Sequence, residues 1–354
     1  MEKQKVLKST VYDFGNTSLY TGKDEVGNES KGIETALGVK QSEIDVFGIP
    51  AKAGLARSKQ QLAASKQVVT ENALERDVSI AWYKAYVAKK QWQLYLQKDS
   101  VYAGFLKAAG LHYKTQQTSK VEYFAAKARC QELTVKIKQS ESNYRASLAR
   151  LNQYIGIPGM FGIPDDENDH AELFKNVLPA DSLKQRAVLE YYNNEVAVTK
   201  AAWKKEQANY LPKIDLGYSM QSVDGQSGFY SWEVGVSVPL LFFSQTGKTR
   251  AARLDYEIAE QNLRQKELEV YATCQELLNR FNTQRKILKY YITQALPLAK
   301  EQIKAAGLEY KLGNINYIQF LENVETSMKI RQEYLTSFME YHTIEEQLKY
   351  ITGK

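Results

Sequence analysis

The stretch Lys107-Ala-Ala-Gly-Leu-His-Tyr-Lys114 returns, with one residue changed, as Lys304-Ala-Ala-Gly-Leu-Glu-Tyr-Lys311, an offset of 197 residues (304 − 107). The same offset pairs Tyr144 with Tyr341, Leu151 with Leu348 and Gly156 with Gly353. It also reaches upstream, pairing Gly38-Val39 with Gly235-Val236 and Leu19 with Leu216. A register held without gaps over that distance marks a duplicated unit. The chain therefore reads as two copies of one series of elements, residues 1–156 and 181–354, joined by a linker over 157–180.

Each copy reads strand, strand, very long helix, tight turn, return helix. In the second copy Ile214, Leu216, Tyr218 and Met220 alternate with Asp215, Gly217, Ser219 and Gln221. After a turn-like Val223-Asp-Gly-Gln-Ser-Gly228, the residues Tyr230, Trp232, Val234, Val236, Val238 and Leu240 alternate with Ser231, Glu233, Gly235 and Ser237. Period-two patterning with one apolar and one polar or small face predicts half-buried strands, of a length that suits a tilted membrane strand of about 9–11 residues. The first copy repeats this more weakly, with Ile33, Thr35, Leu37 and Val39 opposite Glu34, Ala36, Gly38 and Lys40, and an earlier strand over roughly Tyr12 to Tyr20. Pattern alone fits equally a small sheet packed on helices or part of a barrel wall.

The helices weigh for the wall. From Ala51 to Tyr113 there is no proline, and Ile80, Val87, Leu94, Val101 and Ala108 recur every seven residues beside Leu74, Ala81, Ala88, Tyr95, Tyr102 and Ala109. Tyr256, Leu263, Val270 and Leu277, with Cys274, Phe281, Leu288 and Ala295, do the same in the second copy. Seven-residue spacing is the mark of helices wound side by side. Some 60 residues of helix would run roughly 90 Å, which no globular core requires. Pro297 falls inside the second long helix and predicts a bend there. Sharp turns follow at Lys114–Ser119 and Lys311–Asn316, return helices over about 120–154 and 317–351, and a leading helix over roughly Asp181 to Asn209 precedes the second pair of strands.

Bulk properties narrow the class. The 354 residues carry 47 basic and 41 acidic side chains, a net +6 spread along the chain, and mean hydropathy is −0.47. That is a mixed, solvated surface rather than a nucleic-acid footprint. No apolar run reaches the roughly 18 residues of a membrane helix, whereas alternating barrel strands leave little trace in hydropathy. Cys130 and Cys274 define neither a disulfide framework nor a zinc site.

This order of elements, duplicated, resembles the TolC-like outer-membrane efflux proteins over essentially the whole chain. The resemblance rests on Asn209-Tyr-Leu-Pro-Lys-Ile-Asp-Leu-Gly217 entering a strand and Val234-Gly-Val-Ser-Val-Pro-Leu240 leaving one, on the turn Tyr310-Lys-Leu-Gly-Asn-Ile315, and on Tyr341 through Leu348 to Thr352-Gly353. Gly15-Asn16-Thr17 and Ile44-Asp-Val-Phe-Gly48 are most similar to the heavy-metal branch of that family.

The resemblance implies an α+β membrane protein, in which three subunits build a twelve-stranded β-barrel continued by a long α-helical barrel. It implies a homotrimer in the outer membrane of a Gram-negative bacterium with a periplasmic helical extension. Its partners would be a periplasmic adaptor, an inner-membrane pump of the resistance-nodulation-division type and outer-membrane lipid. It would give passive passage to metal ions or drugs, with no cofactor and no nucleic-acid partner. The family carries a helix before its first strand, where only Glu2 to Ser9 precede Thr10, so further sequence upstream is expected.

No enzymatic constellation stands out. His112, His170 and His342 are scattered, no HExxH, GxSxG, Walker loop or GxGxxG occurs, and the methionines do not cluster. Three groups of residues carry the functional expectations. Tyr218, Tyr230, Trp232, Val234, Val236 and Val238 would face lipid, with the aromatic residues at the interface. Thr115, Gln116, Gln117, Thr118 and Ser119, with Leu312, Gly313, Asn314, Ile315 and Asn316, form the turns at which the family meets its adaptor or pump. Glu122, Glu322 and Glu325 follow the turns and would either ring the bore, favouring cations, or sit on a solvated helix face. The rival architecture is a soluble helical rod serving as an envelope scaffold. A periplasmic adaptor is a second rival, though adaptors carry one hairpin in a lipoyl-like domain rather than two copies of this unit.

Overall fold

The computed structural model describes residues 6, 11–12, 14–26, 32–115, 119–156, 161–164, 187–238 and 243–352. The linker expected over 157–180, apart from 161–164, and the first residues of the leading helix lie outside that set. Two compact units arise, residues 1–69 with 186–269 and residues 70–185 with 270–354, and each draws on both halves of the chain.

The first unit holds the sheet. Strands β1 (Asn16–Val26), β2 (Gly32–Ile44), β3 (Lys213–Val223) and β4 (Gln226–Ser237) lie in that order, each antiparallel to the next. Sequence order is spatial order even though β2 and β3 are far apart in the chain. β1 begins later than the expected Tyr12, at the point where Gly15 turns with φ 77°. The turn after β3 is tighter than the six residues expected, because Asp224 (φ 54°) and Gly225 (φ 81°) both adopt the left-handed conformation of a two-residue hairpin. An Asp-Gly pair is suited to that geometry, and pairing therefore runs to Val223↔Gln226. At the other end Asp45 Oδ1 accepts the Gly48 amide at 2.8 Å and Asp45 Oδ2 meets Lys52 Nζ at 3.0 Å. This carboxylate cap starts the long helix α1 (Ile49–Lys114). Helix α3 (Ala187–Ala208) leads into β3, and α4 (Phe243–Tyr290) follows β4. Trp203 of α3 stacks on Tyr256 of α4 with centroids 5.9 Å apart.

The second unit is helical. It takes the rest of α1 and α4 together with α2 (Lys120–Ile155), α5 (Leu296–Lys311) and α6 (Tyr317–Thr352). The 197-residue offset is kept by two pairs of elements, since β3 starts and ends 197 residues after β1, and α6 starts and ends 197 after α2. The offset slips elsewhere, since β4 starts 194 residues after β2 and α4 starts 194 after α1, and the second long helix is interrupted. Where a bend was expected at Pro297, a π-helical turn, Tyr291–Ala295, separates α4 from α5. Pro297 has no amide to give the Thr293 carbonyl, and a regular helix would force its ring against that group. The wider turn, in which the Leu296 amide reaches the Tyr291 carbonyl, accommodates it.

Seven-residue rows become core. Leu288, Phe338, Ile344 and Leu348 are buried in one cluster with Phe281 and Tyr341, and Tyr102, Phe105, Leu133, Phe320 and Val324 form a second. Burial of a large apolar side chain stabilises by about 1.5–3 kcal/mol, so these rows outweigh the weak intrinsic stability of isolated helices. Of the expected row Leu74 to Ala109, Ala81, Ala88 and Tyr102 are buried, while Leu74 is exposed. No helix among the described residues is long and apolar enough to cross a membrane.

Candidate functional site

Residues directly opposite in antiparallel strands share a face. The register therefore joins Leu19, Val39, Tyr218 and Trp232 into one row, Thr21, Leu37, Met220 and Tyr230 into a second, and Gln41, Leu216 and Val234 into a third. Val236 lies opposite Ile214 on the same face, and Val238 follows just beyond β4. Trp232 is 79% exposed, and Tyr230, Val234, Val236, Val238 and Tyr218 are all exposed as well. The rings of Tyr218 and Tyr230 stack at 6.2 Å. The six residues singled out from sequence thus belong to a wider apolar patch with Leu19, Leu37, Val39, Leu216 and Met220. Alternation within β2 and β3 pointed to most of them. Leu19, on a strand with little alternation, is placed only by its pairing with Val39.

The other face is polar and small. Ser18, Lys40, Gly217 and Glu233 form one row and Tyr20, Gly38, Ser219 and Ser231 the next. Lys40 Nζ reaches past Gly217 to Glu233 Oε1 at 3.2 Å. Near the α1 end of the sheet, the Glu43 amide donates to Asp215 Oδ1 at 2.7 Å, Lys213 Nζ lies 3.3 Å from Glu43 Oε2, and the Ser237 hydroxyl donates to Asp215 Oδ2.

Each turn leads into a capped return helix. At the first, Gln116, Gln117 and Thr118 lie outside the described residues. Thr115 is exposed with its hydroxyl on the Leu111 carbonyl at 3.1 Å, and Ser119 Oγ accepts the Glu122 amide at 3.2 Å to open α2. At the second, Gly313 (φ 78°) ends α5, with the Asn314 amide on the Glu309 carbonyl at 2.9 Å and the Gly313 amide on the Tyr310 carbonyl at 3.1 Å. Asn316 Oδ1 accepts the Gln319 amide and Gln319 Oε1 accepts the Asn316 amide, both at 2.9 Å, a reciprocal cap on α6. Leu312, Gly313, Asn314 and Asn316 are exposed. Ile315 is half-buried against the Phe105 cluster, where Tyr310, Tyr317 and Phe320 ring the Phe105 side chain with centroids 4.7–5.5 Å away.

The three acidic residues part company. Glu122 is half-buried and Glu322 is exposed. Burial, and secondarily the Glu122 charge, raises the Tyr310 hydroxyl above its usual range. Glu325 is engaged: Lys98 Nζ lies 2.6 Å from one oxygen and the Tyr102 hydroxyl donates to the other. Burial pushes the Glu325 carboxyl up, but the hydrogen bonds from Lys98 and Tyr102 and the Lys98 charge prevail and hold it below the ordinary range. Burial, joined by Glu325, drives the Tyr102 hydroxyl well above the usual phenol range. His342, scattered in sequence, is buried on α6 with its ring stacked on Tyr83 at 3.9 Å and Nδ1 2.9 Å from Glu345. Among the described residues no group of three His, Cys, Asp or Glu side chains converges as a metal site.

Comparison with known proteins sets this geometry in context. The sequence profile of the family described as outer membrane efflux protein matches residues 178–354, half of the chain. No curated protein matches the sequence. Among solved structures the fold is similar to CusC, at 14% identity and a TM-score of 0.81, covering 99% of this chain and 86% of that one. It is similar to the CmeC outer membrane channel of Campylobacter jejuni (11%, 0.80, covering 99% and 80%) and to the open state of the MtrE outer membrane channel of Neisseria gonorrhoeae (16%, 0.75, covering 99% and 83%). At such identities the likeness establishes the fold.

Proposed function

Because this chain belongs to the outer membrane efflux protein family, we propose that it is one subunit of a trimeric exit duct through which solutes pass passively across the outer membrane. The observation that carries this reading is the two-faced sheet with open ends. One face is largely apolar and exposed, the other polar or small, and among the described residues β1 and β4 each pair on one side only. Apolar surface of that extent seeks lipid, while unpaired strand edges cannot face hydrocarbon. A barrel of about 8 strands is filled by its own side chains, so three copies and twelve strands give a bore where two do not.

In this reading residues 1–156 and 181–354 are two copies of the wall-building unit and 157–180 the segment between them. The exposed ends of the turns, Thr115 with Ser119 and Leu312 with Asn314 and Asn316, meet a periplasmic adaptor and an inner-membrane pump of the resistance-nodulation-division type. The likeness to CusC, CmeC and MtrE supports that placement, and selection of metal or drug cargo then belongs to the pump. Glu122, Glu322 and Glu325 are candidates for lining the bore, Glu325 with one oxygen paired to Lys98.

The test is to purify the protein from membranes in mild detergent, determine its copy number by cross-linking and mass, and insert it into a planar bilayer. A trimer with stepwise conductance is the expected result. A detergent-independent monomer without conductance would return the protein to the class of soluble helical rods.

A further inference from the structure

Within the helical unit, α1, α2 and α6 leave a hollow of about 420 Å³ between them. Its floor is apolar, made by Ala81, Val87 and Ala88 with Met339, and the alanines open the space. Its rim is cationic: Lys84 and Arg150 both line it, and none of its lining residues is acidic. Lys84 takes part in no ion pair among the described residues, and the Arg150 guanidinium donates only to neutral groups, Gln153 Oε1 at 2.8 Å and the Tyr154 hydroxyl at 3.0 Å. Gln91 and Asn143 also line the hollow, and their side-chain amides make no hydrogen bond among the described residues. A second hollow, sharing Val87, Gln91 and Met339, is different in kind, because there Arg280 is balanced by Glu340 at 3.6 Å.

From this juxtaposition of two uncompensated cations, two free amides and an apolar floor, we infer that the hollow between Lys84 and Arg150 binds an amphipathic organic anion. A carboxylate or sulfonate would sit on the rim and a ring-sized apolar body would rest against Val87, Ala88 and Met339. The volume is at the lower end of the range of small-molecule sites. A planar guanidinium and an ammonium together suit an oxyanion, and exchange of the neutral Arg150 partners for a carboxylate strengthens those hydrogen bonds. The inference rests on the geometry of one subunit and holds whether or not the protein conducts.

The probe is 1-naphthoate, titrated calorimetrically into the purified full chain in non-ionic detergent, with micelles alone as the blank. We expect saturable binding by the unaltered protein, and affinity at least about tenfold weaker in the Lys84→Gln/Arg150→Gln double variant, the worth of one charge-assisted contact. Lys84→Arg should retain binding. The weaker binding of neutral 1-naphthalenemethanol should not change between these proteins. Absence of naphthoate binding, or equal affinity in the double variant, would overturn the assignment. So would an equal loss for the neutral alcohol, since that reports a collapsed hollow rather than a missing charge.

Discussion

Lys98 Nζ lies 2.6 Å from Glu325 Oε2, pairing a lysine side chain that is only 11% exposed on α1 with a half-exposed carboxylate on α6. Removing the carboxylate leaves a buried cation with no counter-charge. Because Glu325 itself is partly in water, the loss is smaller than for a fully buried pair, and Glu325→Ala should destabilise the helical unit by about 1–2 kcal/mol. Thermal unfolding in detergent, followed by helical circular dichroism, measures it. A Glu325→Ala/Lys98→Met double variant should recover part of the loss.

The same pair sets a pH dependence. The Glu325 carboxyl is held below its ordinary value of 4.5, and the Glu345 carboxyl likewise, where the His342 hydrogen bond and the Lys349 charge overcome the opposing effect of burial. A carboxyl depressed by folding adds stability that is complete above the ordinary value and is lost as pH falls through the folded one. The melting difference between the unaltered protein and Glu325→Gln should therefore be present at neutral pH and shrink below about pH 4.

Val234 and Ser231 lie on opposite faces of β4, three residues apart. Placing arginine on the lipid side of a barrel costs about 2–4 kcal/mol at mid-depth, and little on the lumen side. Val234→Arg should reduce the amount of protein in the outer-membrane fraction, whereas Ser231→Arg should leave it near the unaltered level. Immunoblots of fractionated cells decide between them.

Gly15 enters β1 with φ 77°, and a Cβ there would lie 1.9 Å from the Ser42 carbonyl oxygen and 2.9 Å from the Glu43 carbonyl carbon. Neither backbone atom can move away without breaking the β1–β2 ladder. Gly15→Ala should cost about 2 kcal/mol or more and lower the temperature at which the assembled protein loses its β-sheet signal.

At the second turn, Gly313→Ala places a side chain at φ 78°, and Asn316→Ala removes one arm of the reciprocal cap. Each should cost about 1 kcal/mol. Gly313→Asn should be tolerated, since asparagine also adopts the left-handed conformation. Hydrogen exchange of residues 309–319 should quicken in the first two variants and stay unchanged in the third.

Much of this fold was legible because its signals are periodic. The 197-residue recurrence located the long helices, their turns and the second pair of strands, and the heptad rows picked out Leu94, Leu277, Phe281 and Leu288 before their partners were known. What escaped depends on contacts between distant residues. Leu19 joins the apolar face through Val39, and β4 starts earlier than its alternation showed because Asp224-Gly225 suffices for the turn. Glu325 reads in sequence like its exposed neighbour Glu322, and only the approach of Lys98 and Tyr102, more than 200 residues earlier, sets it apart. The hollow beside Lys84 and Arg150 has no local signature either, since three helices supply its lining.

The free borders of β1 and β4 have a genetic corollary. A strand that can be completed only by its neighbour makes every copy hostage to the worst one in the ring. If three chains close one wall, a co-expressed copy damaged at a border would act dominantly. With equal amounts of sound and damaged chains, only roughly one ring in eight would be wholly sound.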